Sequence, residues 1–388
     1  MSENAGVDVL IIGGGVAGQR LGANKWFDEE VVGEEAVAHM RAHIVDPNLP
    51  LTVGEDLDHL QGALDEGRIT ISSYIPQDRP FDAAYIASPT GTHMESLART
   101  RNMSPEMRPM WTILEKPAVS GKVEEGALRM FLRRGLVTGR IYVHEPYLLS
   151  EGLQRMQRFI TEQRDADNPP LDIRVWSVED RTPDVARGRT GNEQELGAFG
   201  VEFPHTHAAA GMLAGVELGR EHVHADRNIY YKGVNGKPTS EGTYTEFVYE
   251  GALIRVAQGL GPFMMTSKGE LMTDPKPGIT RAAEATFADG QRVHLNLRPA
   301  VDRYGMTKAH PYRHSVWSRY DASGDQLERD FIPDYPIKKL ITNVLDKLRD
   351  PETPSLPGID IVSSLARCMA VRTLREHTKI KSGVQTKA

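Results

Sequence analysis

Residues Val7 to Gly18 read VDVLIIGGGVAG, and they constrain the fold of this chain more than any other segment. An unbroken apolar, largely β-branched run from Val7 to Ile12 passes directly into Gly13, Gly15 and Gly18. That order predicts a strand, a tight turn and a helix. Gly13 allows the turn, Gly15 lets the main chain come close to a pyrophosphate, and Gly18 lets the helix pack near the strand. The first amides of the helix then point at the phosphates. Gly13, Gly15, Val16, Ala17 and Gly18 are therefore the expected dinucleotide contacts. A merely structural Gly-rich turn is the alternative.

The chain has 388 residues, more than one ordinary core holds, so two domains are expected. The first third alternates strands with helices. Val7–Ile12, Leu51–Val53, Ile69–Tyr74, Ala83–Ala87, Thr112–Leu114 and Arg140–Val143 read as strands. Val16–Phe27, Glu34–Ile44, Leu57–Asp65, a segment from Met94 and Glu124–Arg134 read as helices. Alternation of this kind implies a doubly wound parallel sheet, a Rossmann domain over residues 1–140. The rest changes character. After a helix at Leu153–Gln163, the segments Asp172–Val178, Thr243–Tyr249, Leu253–Ala257, Arg281–Phe287 and Arg292–Leu297 alternate with period two. Asp289-Gly290 predicts a type I′ hairpin turn and Ser323-Gly324 a second hairpin. Helices close the chain near Ile337–Leu348 and Ile361–Arg375. The expected fold is thus α/β plus α+β. Residues 141–388 form an open, mostly antiparallel sheet with helices on one face.

Composition removes several classes of function. The net charge is −7, so no global attraction draws the chain to nucleic acid or an anionic membrane. A single cysteine, Cys368, excludes an internal disulfide framework and a Cys-rich zinc site. The opening MSENAGVD lacks a basic and an apolar signal region, and no apolar run reaches membrane-spanning length. The expectation is a cytoplasmic protein with no nucleic-acid or membrane partner.

Three further segments carry a family resemblance. Ala84–His93 reads AYIASPTGTH, Ile113–Pro117 reads ILEKP, and Gly197–Gly215 reads GAFGVEFPHTHAAAGMLAG. With the Gly-rich turn, this series resembles the Gfo/Idh/MocA family of NAD(P)-dependent sugar and cyclitol oxidoreductases over most of the chain. Glu-Lys-Pro is its most specific element. It also gives a more distant similarity to glucose-6-phosphate dehydrogenases, whose substrate-phosphate helix is loosely similar to Glu145–Phe159.

Hydride transfer from an alcohol needs a nicotinamide against the carbinol carbon, a base for the hydroxyl proton and a positive group for the developing alkoxide. Lys116, at a strand end, suits the last role, and the resemblance implies that it contacts both substrate and nicotinamide ribose. Glu115 orients Lys116 or closes the strand, and Pro117 fixes the local turn. The resemblance puts Ser88, Pro89, Thr90 and His93, with Glu115, Lys116 and Pro117, beside the cofactor. It makes His205 the base, with His207 as the choice if the register differs by two. The family's aspartate position is Val201 here, a departure; either the adjacent Glu202 supplies the carboxylate or the usual pairing is absent. His144, Glu145 and Tyr147 open the second domain and join Lys116, His205 and His207 as candidate substrate contacts. Arg155 reads equally as a solvated helix arginine.

The acid expected at the adenosine ribose is Asp46, Glu55, Asp56 or none, so the choice between NAD and NADP stays open. The reading is an NAD(P)-dependent oxidoreductase of a sugar, sugar phosphate, nucleotide sugar or cyclitol. An open sheet face predicts a homo-oligomer, a dimer or tetramer. One rival keeps the fold without net redox turnover, as a ligand sensor or an enzyme with a self-regenerating nicotinamide. A second takes His205-Thr-His207 and His222-Val-His224 as strand-borne metal ligands of a hydrolase; no zinc spacing matches, and no metal is expected.

Overall fold

The computed structural model describes residues 6–14, 18–48, 60–119, 122–133, 140–179, 203–232, 238–260, 264–265, 271–272, 279–297 and 314–381. It divides into two compact units, Met1–Glu145 with Ile337–Leu365, and Pro146–Pro336 with Ala366–Ala388. Segment 337–365 thus belongs with the first unit, although the sequence pattern groups it with the second domain.

Six parallel strands build the first unit: β1 Asp8–Ile12, β2 Arg41–Val45, β3 Ile69–Ser72, β4 Ala83–Ile86, β5 Trp111–Leu114 and β6 Ile141–Val143. Their order is β3-β2-β1-β4-β5-β6. The order reverses between β1 and β4, the switch point at which ligands bind in doubly wound sheets. Val9, Leu10, Ile11, Ile44, Ala83, Ala84, Tyr85, Ile86 and Ile113 are fully buried. Strands so enclosed read as continuous apolar runs because helices cover both sheet faces.

One element differs in kind from its sequence reading. Glu34–Ile44 has helical spacing, but the helix ends at His39 and Arg41–Val45 is the second strand. The buried Ala42, Ile44 and Val45 pair with Ile69, Ile71 and Ser72 of β3, and this long-range ladder outweighs local helical spacing. A second difference lies after the Gly-rich turn. In place of a straight helix over Val16–Phe27, a wide helical turn spans Gly18–Ala23, followed by one α-helical turn at Asn24–Trp26. The longer helices of the unit are α1 His93–Arg101 and α2 Lys122–Arg133.

In the second unit, α3 Glu151–Asp165 and α4 Phe203–Ala214 cover one face of an eight-stranded sheet. Its strands are β7 Pro170–Glu179, β8 Val223–Lys232, β9 Pro238–Tyr249, β10 Ala252–Leu260, β13 Ile279–Phe287, β14 Arg292–Asn296, β15 His314–Tyr320 and β16 Gln326–Pro333. A small ladder of β11 Met264–Met265 and β12 Leu271–Met272 lies between β10 and β13 in sequence. The order is β16-β15-β14-β13-β7-β10-β9-β8, antiparallel throughout except for the β7–β10 pair. Register places Ile173 opposite Ile254 and Ala285, and Val175 opposite Val256 and Ala283. These side chains are buried with Leu153, Met156, Ile160 and Leu213 of the helices. The intervening residues form the outer face, where Arg255 bridges Asp172 at 2.6 Å and Arg174 bridges the same carboxylate at 2.5 Å. Period-two alternation sorts the two faces.

The hairpin at Asp289-Gly290 forms, with a correction to its turn. Gly290 donates to the Phe287 carbonyl at 3.0 Å, and only Gly290 of the pair has positive φ, 87°. That is a three-residue connection with glycine in the left-handed position, not a type I′ pair. Two helices complete the fold, α5 Pro336–Arg349 and α6 Ile361–Lys381, the latter crossing the division between the units.

Candidate functional site

At the carboxyl end of β1 the chain turns through Gly13, whose φ of 103° is strained for any residue with a side chain. Its N–H donates to the Val45 carbonyl of β2 at 2.8 Å. A Cβ on Gly13 would lie 2.7 Å from the Ser88 nitrogen and 2.8 Å from the Ala87 carbonyl. A Cβ on Gly18 would lie 1.6 Å from the Gly13 oxygen. Both glycines are therefore required by close backbone approach. Gly15, Val16 and Ala17 lie outside the described residues.

Beside this turn stands Asp46, one residue past β2. Its Oδ2 accepts from the Gly14 N–H at 2.6 Å and its Oδ1 from the Asn48 N–H at 2.8 Å. Asp46 is thus the acid at the end of the second strand. Glu55 and Asp56 fall outside the described residues.

After β4, the Ser88-Pro89 turn packs against Gly13, and Thr90 opens a single 3₁₀ turn at Thr90–Thr92. Thr92 Oγ1 donates to the Pro89 carbonyl, and Ser88 Oγ meets Ser96 Oγ at 3.1 Å. His93 is buried, and its Nε2–H donates to the Ser88 carbonyl at 2.8 Å. Burial lowers its pKa, against the Ser88 carbonyl, Glu115 and the backbone of Ala118 and Pro117. His93 therefore ties the turn to the Glu-Lys-Pro segment and presents little surface to a ligand.

The ladder runs one residue beyond β5 and β6, with Glu115 N–H on the Ile86 carbonyl and His144 N–H on the Leu114 carbonyl. Tyr85 pairs with Ile113 and Ile113 with Tyr142, so Tyr85, Glu115 and His144 emerge on one face of adjacent strands. Glu115 Oε2 accepts from the Tyr85 hydroxyl at 2.5 Å and from His144 Nδ1–H at 3.1 Å, while Tyr85 Oη lies 3.3 Å from the same Nδ1. Exposures are 0% for Tyr85, 9% for Glu115 and 6% for His144. Burial alone would raise the Glu115 pKa, but His144, the Lys116 ammonium and the Tyr85 hydroxyl reverse it to about 2. Burial and the Glu115 charge push the Tyr85 phenol well above its ordinary range, so its proton stays on the oxygen. Lys116 follows at half-buried exposure, joined to the buried Pro117 by a cis peptide bond. Glu145 is buried, with Ser364 Oγ 3.3 Å from its carboxylate.

In the second unit, Tyr147 and His205 are both buried, their rings edge to face at 6.1 Å and 82°. The Arg281 guanidinium sits 5.9 Å from the Tyr147 ring centroid. His205 and His207 lie on α4 rather than on a strand, so they project about 200° apart. They cannot share a metal as strand neighbours would. His207 is a core residue, 1% exposed between Phe203 and Phe247, with Nε2–H donating to the Leu218 carbonyl at 2.7 Å. Burial lowers its pKa from 6.5 to about 4, opposed by the Leu218 carbonyl and aided by Arg367. That placement removes His207 from the expected substrate contacts. In the other pair, His222 Nδ1 accepts from the Gly219 N–H and its ring packs on Tyr249. Arg155 bridges Glu328 at 2.6 Å and Asp330 at 2.7 Å, over the Trp317 ring. Val201 and Glu202 lie outside the described residues.

Sequence reasoning missed Tyr85, which reads as one more member of an apolar strand. The signal was a hydroxyl within a run that must be buried on both faces.

No protein-family profile matches the chain, and no curated protein matches its sequence. Among solved structures, levoglucosan dehydrogenase in complex with NADH and levoglucosan is similar over 97% of this chain and 98% of that chain, with a TM-score of 0.65 and 16% identity. A myo-inositol dehydrogenase from Corynebacterium glutamicum gives 0.58 at 14% identity, over 97% of each chain. UDP-N-acetylglucosamine 3-dehydrogenase from Acidithiobacillus ferrooxidans gives 0.57 at 13% identity, over 96% of this chain and 98% of that one. The chain has the two-domain fold of these dehydrogenases along its length, the fold implied by the Gfo/Idh/MocA resemblance.

Proposed function

We propose that this protein is an NAD(P)-dependent oxidoreductase acting on a CH–OH group of a sugar, sugar phosphate, nucleotide sugar or cyclitol. The observation that carries the reading is the seating of Gly13 against Ala87 and Ser88 at the β1/β4 switch point, two strands from Glu115 and Lys116. Backbone packed on backbone there leaves no room for a Cβ and closes the tight turn after β1, and in doubly wound sheets the crevice outside such a switch point takes the dinucleotide. Gly13 to Gly18 would hold the pyrophosphate, and the Ser88–Thr90 turn with Pro117 would border the nicotinamide half. The bound nicotinamide would supply the hydride acceptor or donor. Lys116 polarises the reacting oxygen and stabilises negative charge on it. His205 takes up or returns the hydroxyl proton. Tyr147 and Glu145 contribute to the sugar side.

Asp46 points to NAD. Its carboxylate accepts two backbone N–H bonds and keeps acceptor capacity for ribose hydroxyls, whereas a 2′-phosphate would meet like charge. The outer face of the eight-stranded sheet, bearing both signs of charge, suits association with a second copy, which light scattering reads directly.

The test is titration of the purified protein with NAD and NADP by calorimetry, then absorbance of reduced nicotinamide with a panel of sugars and cyclitols. The expected result is binding of NAD at least about tenfold tighter than NADP, a preference lost in Asp46→Ala, and reduction with a member of the panel. Binding of neither dinucleotide overturns the reading. Binding without reduction across the panel favours a same-fold sensor.

A further inference from the structure

We infer that Tyr85 and His144 are positioning residues that act on Lys116 through Glu115. The inference rests on the oxidoreductase reading, which gives Lys116 its task at the reacting oxygen.

Glu115 is a buried carboxylate at the end of a strand whose other residues are all buried. Folding alone does not require a charge there, because well-packed apolar residues serve as well or better at such positions. The chain nevertheless surrounds this carboxylate with donors from both neighbouring strands. Tyr85 reaches it from β4 at 2.5 Å, and His144 reaches it from β6 at 3.1 Å. The other groups facing it are Lys116, next in sequence, and His93 of α1. His93 is committed to the Ser88 carbonyl. Two hydrogen bonds to one oxygen fix the carboxylate in place, and with it the peptide that leads into Lys116. They also keep a negative charge beside the ammonium. In this arrangement His144 serves the lysine rather than touching the substrate.

The experiment uses the full chain as wild type and as Glu115→Gln, Tyr85→Phe, His144→Leu and His144→Asn, with circular dichroism confirming the fold of each. Asparagine places its amide N–H where Nδ1–H stands, so His144→Asn keeps the bond to Glu115 and loses the rest of the ring. Two quantities are read. The first is kcat and KM against pH, with dinucleotide Kd. The second needs no turnover: the rate of reductive methylation at Lys116 relative to the exposed Lys338 in the same sample, by peptide mass spectrometry.

Expected are losses of about tenfold or more in kcat for Glu115→Gln and His144→Leu, with KM and Kd within about threefold of wild type. Tyr85→Phe falls in the same direction by less. His144→Asn holds kcat within about threefold. The Lys116 methylation ratio changes about threefold or more in Glu115→Gln, because the carboxylate that Tyr85 and His144 hold no longer fixes the peptide leading into the lysine. A rise in KM at unchanged kcat in His144→Asn means that the ring contacts substrate, and overturns the inference. An unchanged methylation ratio in Glu115→Gln overturns it as well. If wild type binds neither dinucleotide, the oxidoreductase reading fails, and the methylation ratio still decides whether Glu115 governs Lys116.

Discussion

Glu115 and Lys116 are neighbours in sequence yet stand in different surroundings. The carboxylate is buried beneath Tyr85 and His144, and the lysine is half-buried at the carboxyl edge of the sheet. That contrast follows from strand alternation, which turns successive side chains to opposite faces. Replacing Lys116 by alanine removes the positive group and leaves the Gly-rich turn untouched. The expected outcome is a fall in kcat of more than about tenfold with dinucleotide affinity within about threefold. Steady-state kinetics and calorimetry on the same preparation check it. Equal losses in turnover and dinucleotide affinity would place Lys116 in binding instead.

At the scale of elements, α3 shows how a distant residue starts a helix. Ser150 Oγ accepts from the Leu153 N–H at 3.2 Å, the ordinary local cap. The remaining first-turn groups turn to Asp334, far along the chain at the end of β16. Its carboxylate accepts from the Ser150 hydroxyl at 2.5 Å, the Glu151 N–H at 3.0 Å and the Gly152 N–H at 3.3 Å. Asp334 is buried, so deleting it strands these donors away from water. Asp334→Ala should therefore cost about 2 kcal/mol or more in urea unfolding. Asp334→Asn keeps an acceptor and should cost less. Equal stability of Asp334→Ala and wild type would show that water replaces the carboxylate. The cap also ties helix to sheet beside Arg155, which bridges Glu328 and Asp330 of the same strand.

Across the whole molecule, each unit carries a buried histidine held neutral. His43 of β2 bonds Thr70 and Ser72, and burial, aided by Arg79, lowers its pKa to about 4. His207 of α4 is likewise lowered from 6.5 to about 4 by burial. Both folded values lie below those of the unfolded chain, so the unfolded chain takes up protons first as pH falls. Stability is therefore complete above about pH 6.5 and is lost progressively toward pH 4. Glu115, depressed to about 2 from 4.5, loses its contribution as pH falls from 4.5 to about 2, overlapping only the acid end of that window. The expected outcome is a Tm that declines as pH falls from 6.5 to 4. In His207→Gln, which keeps a donor for the Leu218 carbonyl, the decline should be shallower by on the order of 3 kcal/mol at its acid end. Parallel curves for variant and wild type would show that His207 does not titrate with unfolding. No helix among the described residues is long and apolar enough to cross a membrane.

The sequence by itself determined the strand-and-turn beginning at Val7, the change from βα alternation to period-two strands near residue 150, and the need for glycine at Gly13. Each of these is local: a glycine where no Cβ fits, or an alternation that sorts faces within one strand. Tertiary structure alone decided that Arg41–Val45 is a strand, because its partner β3 lies more than twenty residues on. It alone set the Asp46 carboxylate on the Gly14 N–H. It sent His205 and His207 to different sides of one helix, and it joined Tyr85, Glu115 and His144 from three strands. Contacts between residues far apart in the chain leave no periodic trace in sequence, since any one member reads as an ordinary strand or helix residue until its partners are brought beside it.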